Sequence, residues 1–309
     1  MPSKKRAPAP ELSRLKVLAA GDERAFAAYA TELLRAGDRL GREAALAALL
    51  ERPLASMREP LRALYFELAA DGLKRDQGSA LRVGIVRVLA KLGDVRDRDV
   101  AMSAASTFES ILADDLTWTL RGHGLRMIAD LDPTLFPYYA VEHLDDNTGI
   151  EGEPANTAFQ LLAGTGSYLP IYQWLIGGER HPVLVAAAFE LLAGGPREIV
   201  QRYARDAMQL VIRRADEGLA TALAEAIINL DLENSYDALG ELMAAKLSDE
   251  LYNYLAVLLA GTNRPPLLAI LEHALHRGRR PHVIAEALRI RTTPEQAAIL
   301  QRWEEDEAE

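Results

Sequence analysis

The sequence predicts an all-α protein, a right-handed superhelical solenoid of stacked antiparallel helix pairs. Three observations carry that expectation. Turn-forming residues recur along the chain at intervals of 30–41 residues. Between them lie segments dominated by Ala and Leu, which favour helix intrinsically, with apolar residues at helical spacing. Alternating apolar and polar runs, the mark of half-buried strands, are nearly absent from the sequence.

The elements follow in order. Residues 1–10, MPSKKRAPAP, combine three prolines with Lys4-Lys5-Arg6 and predict a short disordered basic leader. No apolar run follows that would make it a signal peptide. Residues 11–303 then repeat a helix, a turn and a second helix about nine times. The turns fall at Gly21-Asp22, Arg52-Pro53, Gly93-Asp94, Asp132-Pro133, Gly164-Thr165, Gly194-Gly195, Asp231-Leu232, Gly261-Thr262 and Arg291-Thr292. Gly93, Gly164 and Gly194 are expected to close helices in the left-handed conformation. Asp94, Asp132, Thr165 and Asp231 are placed to accept backbone N–H groups as the next helix starts. Pro133, Pro170 and Pro196 sit near second-helix starts, where a missing N–H costs little. The uncharged stretch 154–178 is long enough to span a bilayer, but Gly164, Gly166 and Pro170 break it into a helix, a turn and a helix. Residues 304–309 form an acidic tail. One helix pair has too little surface for its own core, so the pairs must stack, as a single array without a clear domain boundary.

The segments Leu81–Val100, LRVGIVRVLAKLGDVRDRDV, and Leu120–Leu144, LRGHGLRMIADLDPTLFPYYAVEHL, share one plan. Each joins an apolar helix, a Leu-Gly-Asp or Leu-Asp-Pro turn and a second apolar helix, and His181–Val200 is a looser copy. They resemble the HEAT-like repeat proteins, a likeness that can be followed from about residue 11 to residue 303. It implies the solenoid fold and specifies function poorly. The intervals vary by up to 11 residues and the first two units are irregular, which departs from the family pattern. The fixed period of about 34 residues that marks tetratricopeptide repeats is not visible. Two enzyme groups are built on HEAT-like repeats. Alkylpurine DNA glycosylases use aromatic and acidic residues in a basic face. Here Trp118 would be the aromatic, but Gly122 stands one turn later in place of an acid. Nothing singles out the other group, the phycobilin lyases.

Composition narrows the chemistry. The 309 residues include 35 basic and 45 acidic side chains and no cysteine, for a net charge of −10. Disulfides, thiolate metal sites and cysteine nucleophiles are therefore excluded. An acidic chain is poorly suited to duplex DNA, which demands cations against phosphate, and nucleic acid is disfavoured as a partner. A cytoplasmic protein without a membrane segment is the expectation. Phosphate-cradling glycine motifs and the nucleophile-elbow motif are missing from the sequence. His273 and His276 lie one turn apart beside Glu272, a spacing that suits two metal ligands but lacks an assured third. The loop 145–153 is rich in oxygen ligands, yet Ile150 and Asn156 occupy the places where a calcium loop wants Gly and Glu. No catalytic residue, metal or cofactor is expected, and the reading is a non-enzymatic scaffold.

Charge and aromatics are unevenly spread. Residues 127–179 carry eight acids, no Lys or Arg, and seven of the nineteen aromatics. Within them Tyr138, Tyr139, Glu142, Asp145, Asp146, Tyr172 and Trp174 are the expected contact for a protein partner with a basic surface, because Tyr and Trp bury much area with few rotors and carboxylates steer cations. Tyr139 and Tyr172 each follow a proline by two residues and are expected in equivalent places of adjacent repeats. The alternative site is basic: Arg277, Arg279, Arg280, Arg289 and Arg291, with His282, would meet phosphate, nucleic acid or an acidic partner, the tail included.

Overall fold

The computed structural model describes residues 10–308 apart from 113, 178–181 and 279; the basic leader, up to Ala9, lies outside them. The protein is all-helical, and its residues gather into two compact units that divide between Pro170 and Ile171.

The first unit holds α1 (Pro10–Gly21), α2 (Glu23–Ala36), α3 (Arg39–Glu51), α4 (Arg58–Ala69), the single turn α5 (Gly72–Arg75), α6 (Ala80–Leu92) and α7 (Arg98–Ala105). A small hairpin follows, β1 (Ser110–Ile111) against β2 (Asp114–Asp115), with Ser110 opposite Asp115. Then come α8 (Trp118–Leu131), α9 (Phe136–Glu142), α10 (Ala155–Gly164) and α11 (Tyr168–Ile176), which carries the chain across the division. The second unit continues with α12 (Pro182–Leu192), α13 (Arg197–Arg214), α14 (Glu217–Asn229) and α15 (Tyr236–Ala244). It ends with α16 (Asp249–Thr262), α17 (Pro265–Arg277), α18 (Pro281–Ile290) and α19 (Pro294–Ala308). The hairpin is an addition to the expected pattern, because strands of two residues leave no alternation to read.

Alternate helices pack on one another. In the first unit α1 meets α3, α3 meets α6, α6 meets α8 and α8 meets α10. In the second, α12, α14, α16 and α18 form one such row and α13, α15, α17 and α19 another. Each helix offers an apolar stripe to the next, such as Leu81, Ile85, Val88 and Leu89 of α6, all 0–3% exposed. Helices α7 and α8 approach each other closely. There a Cβ at Gly124 would stand 2.4 Å from the Ala105 nitrogen, so the two backbones touch through a glycine.

Eight of the nine sequence turns fall at helix boundaries, whereas Gly261-Thr262 forms the last turn of α16 and the break follows at Asn263. Gly93 closes α6 in the left-handed conformation, at φ 64°. Gly164 does not: it belongs to the last turn of α10, and the left-handed residue is Gly166, at φ 74°. Gly194 is likewise not left-handed. Asp94 and Asp132 accept the N–H groups of Arg96 and Leu135 as expected. Asp231 instead takes the left-handed conformation itself, at φ 52°. Its carboxylate accepts bonds from Tyr236 and Arg264, and the Thr165 hydroxyl donates back to Leu162. Asp38, Asp216 and Ser248 cap α3, α14 and α16 at the breaks between successive turns. Helix α19 runs on through the acidic residues to Ala308, with Glu304 against Arg289 at 2.7 Å and Asp306 against His276 at 3.3 Å. No helix of the described residues is long and apolar enough to cross a membrane.

Candidate functional site

The acidic aromatic segment begins with α9. Phe136 and Ala140, four residues apart, are fully buried and fix the helix to its neighbours. The opposite face carries Tyr138, 72% exposed, with Val141 and Glu142 also exposed and Asp145 exposed in the following loop. Tyr139 is half-buried beside them. Three of the residues singled out from the sequence, Tyr138, Glu142 and Asp145, therefore form one exposed acidic and apolar strip with Val141.

Asp146 has a different role. Arg121 of α8 is fully buried, and its guanidinium meets Asp146 through Nε at 2.7 Å and Nη2 at 3.0 Å. It also bonds both carboxylate oxygens of Asp115, the Thr117 and Thr148 hydroxyls and the Thr107 carbonyl. Its carbon lies 4.0 Å from the centre of the Phe108 ring, which stacks on His143 at 6.0 Å. The loop oxygens that faintly resemble a calcium set thus serve an arginine. Burial alone would raise the Asp146 and Asp115 pKa values. The bonds from His143 and Arg121 to Asp146, and from Arg121, Thr117 and Thr148 to Asp115, outweigh burial and hold both carboxyls below the usual range.

Two more arginines repeat this plan along the first unit. Arg82, also fully buried, pairs with Asp76 at 3.2 Å and with Glu109 at 2.6 Å. Arg58 meets the buried Asp97 at 2.9 Å, and Arg62 shares that carboxylate at 3.0 Å. Sequence reasoning overlooked this set. Its signal was a Leu-Arg pair opening two apolar helices, Leu81-Arg82 and Leu120-Arg121. A charge inside such a stripe is tolerable only when paired and hydrogen-bonded.

Tyr172 and Trp174 belong to the second unit. Tyr172 is half-buried and Trp174 only 6% exposed. Burial removes Trp174 from any surface patch; on α11 it packs inward with Ile171 and Leu175.

The basic cluster is divided by the structure. Arg289 is tied to Glu304, and Arg291 lines a small recess near Gln296. Arg279 lies outside the described residues. Arg277 and Arg280 instead line a groove of about 920 Å³ between α15 and α17, closed at one end by the start of α16. Its floor is made of small and apolar residues, among them Ala244, Ala269 and Ile270, with Lys246, Arg277 and Arg280 gathered where both helices end. Tyr252 sits at that end, 5% exposed, and its hydroxyl has no hydrogen-bond partner among the described residues. Burial pushes the Tyr252 hydroxyl pKa up, so it remains a protonated donor. Arg280 bonds Asp249 through Nη2 and lies 5.6 Å from the Tyr252 ring centre, while its Nη1 is buried and unpartnered among the described residues. His273 lines the same groove and His276 faces Asp306. Among the described residues no group of three or more His, Asp or Glu side chains could hold a metal ion.

His123 of α8 is held far from its ordinary value. Burial, then the charges of Arg126 and Arg87, lower it to about 4. The unfolded chain binds this proton near pH 6.5 and the folded chain only near 4. Its contribution to stability therefore falls as the pH drops through that window and levels off below it. We expect an NMR titration of the folded protein to show the His123 ring neutral at pH 5.5; a midpoint above about 6 would contradict this environment.

No protein-family model, curated protein or solved structure matches the chain.

Proposed function

We propose that this protein is a non-enzymatic scaffold or adaptor of the cytoplasm. In this reading its helix pairs form a HEAT-like solenoid that binds a partner protein through its concave face. The alternate stacking of helices within each unit supports the architecture, since such stacking is how paired helices share a core. The observation that carries the function is the exposed strip on α9. Tyr138 stands one helical turn from Glu142, in a stretch of 53 residues without Lys or Arg. An exposed aromatic ring one turn from an exposed carboxylate suits a partner with a basic, partly apolar surface. Tyr139 and Asp145 would border the contact, whereas Asp146 supports the fold beneath it; Tyr172 and Trp174 lie in the second unit, where Trp174 is core.

The test is a comparison of partner capture by the full chain and by Tyr138→Ala and Glu142→Lys variants. Both side chains are exposed, so both variants should melt with the parent. Each should weaken a specific partner by about tenfold, as a central interface residue does, and Glu142→Lys should also flatten the dependence of binding on salt. Capture that is unchanged in both variants would remove α9 from the interface.

A further inference from the structure

The groove between α15 and α17 has features that the scaffold reading does not use. The two helices lie side by side, with Gly240 facing Ile270: a Cβ added at Gly240 would be 4.0 Å from the Ile270 side chain. A missing side chain at this point widens the channel between them. Asp237 marks one end, where α15 begins, and Lys246 and Arg277 mark the other, where α15 and α17 finish. From Asp237 the helix runs seven positions to its end at Ala244, roughly 10 Å, and Lys246 lies two residues beyond. The volume of about 920 Å³ lies in the range of organic ligand sites.

The basic end holds donors that the fold leaves unused. A tyrosine hydroxyl that is 5% exposed ordinarily finds a partner. Tyr252 has none among the described residues, and its oxygen lies beside Gly278, where an added Cβ would stand 3.2 Å away. The Nη1 of Arg280 is in the same condition. The Nη2 of that guanidinium is held by Asp249, an 82% exposed carboxylate, so the fork is oriented while Nη1 stays buried without a partner among the described residues. A lone basic cluster would be an ordinary helix end. Two buried, oriented and unsatisfied donors beside it require an acceptor, and the surrounding charge favours an anionic one.

We propose that this groove binds an amphipathic organic anion, its carboxylate or phosphate headgroup held by Arg280, Tyr252 and Lys246 and its apolar body lying along Ala244, Ala269 and Ile270. The site is separate from the α9 strip, and neither reading depends on the other.

Isothermal titration of the full chain with octanoate, octyl phosphate, inorganic phosphate and octylamine tests it. At least one of the two octyl anions should bind saturably with a Kd below about 1 mM, and the tighter of them identifies the headgroup. Inorganic phosphate should bind at least about tenfold more weakly than that anion, because it lacks the apolar body. Octylamine should not bind. Arg280→Gln should weaken the anion about tenfold and Tyr252→Phe about fivefold, as loss of a charge-assisted and of a neutral hydrogen bond predicts. Tyr138→Ala and Arg289→Gln, outside the groove, should leave binding unchanged. Tyr252→Phe keeps the ring, so it reads the hydroxyl even if Arg280→Gln disturbs the turn. The proposal is overturned if neither octyl anion saturates up to about 10 mM, if octylamine binds as well, or if inorganic phosphate binds as tightly as the octyl anions. Octyl-anion affinity that is unchanged in Tyr252→Phe and in whichever Arg280 variant folds also overturns it.

Discussion

Arg121→Ala should lower the stability of the first unit by about 3–5 kcal/mol, the range for breaking a buried ion pair on one side. In a unit of this size that corresponds to a fall of roughly 10 °C in its melting transition. Arg121 is fully buried, and its removal would strand Asp115 and Asp146, whose side chains are 10% and 7% exposed. Truncation also opens a cavity beneath Phe108. The effect must depend on pH. In the parent both carboxyls are held below their ordinary range, so their stabilisation is complete above about pH 4 and is lost as the pH falls through the lowered native values. Without the guanidinium, burial dominates and raises them, and the acid transition should move to higher pH. Asp115→Asn with Asp146→Asn in the Arg121→Ala background should recover part of the loss, because neutral amides are less costly to leave without a cation. Calorimetry of the three proteins between pH 4 and 8 decides it. A melting temperature within about 2 °C of the parent for Arg121→Ala would mean that the network contributes nothing net.

Gly124→Ala should be the second most damaging substitution, and its sign opposes helix propensity. In an exposed helix, Ala in place of Gly stabilises by about 1 kcal/mol. At Gly124 the new methyl would meet the Ala105 nitrogen at 2.4 Å and the Ala101 carbonyl oxygen at 2.9 Å. These are backbone atoms of α7, which cannot rotate away, so the helices must separate. Overpacking of this kind costs about 1–3 kcal/mol or more. Gly261→Ala in α16 is the matched control, since a Cβ there meets nothing within 4 Å. Chemical denaturation should show the control neutral or slightly stabilised and Gly124→Ala destabilised. Equal behaviour would show that α7 and α8 can move apart freely.

Both substitutions lie where the sequence was only partly legible. Helix content, the nine turns and the break within 154–178 follow from local properties: propensity, apolar period and turn chemistry. Each acts within a few residues, so each can be read along the chain. The left-handed position after α10 shifted by two residues, to Gly166, because several glycines there are locally equivalent and packing chooses among them. Tyr138 and Glu142 were found as members of an acidic aromatic run, but composition could not separate them from Trp174. Exposure is decided by which face of α9 or α11 meets a neighbour, and a nearly continuous apolar run such as Tyr168–Ile176 has no polar face to mark it. The arginine cluster was found and then divided. Arg277 and Arg280 reach the groove, and Arg289 is neutralised by Glu304, which lies fifteen residues on in the chain and one helix away in space.

What the sequence determined by itself is the helical class, the punctuation of the helices and the poles of charge, all of them short-range consequences of residue type. The tertiary structure decided which charges are structural and which are available. Arg121 and Arg280 are chemically identical side chains on the same kind of chain. One is enclosed by two carboxylates brought in from a hairpin and a loop, and the other leaves its buried Nη1, like the Tyr252 hydroxyl, without a partner among the described residues. That difference arises from contacts between residues distant in sequence, and burial gives those contacts their energy, since an unpaired donor or acceptor is costly only where water cannot reach it.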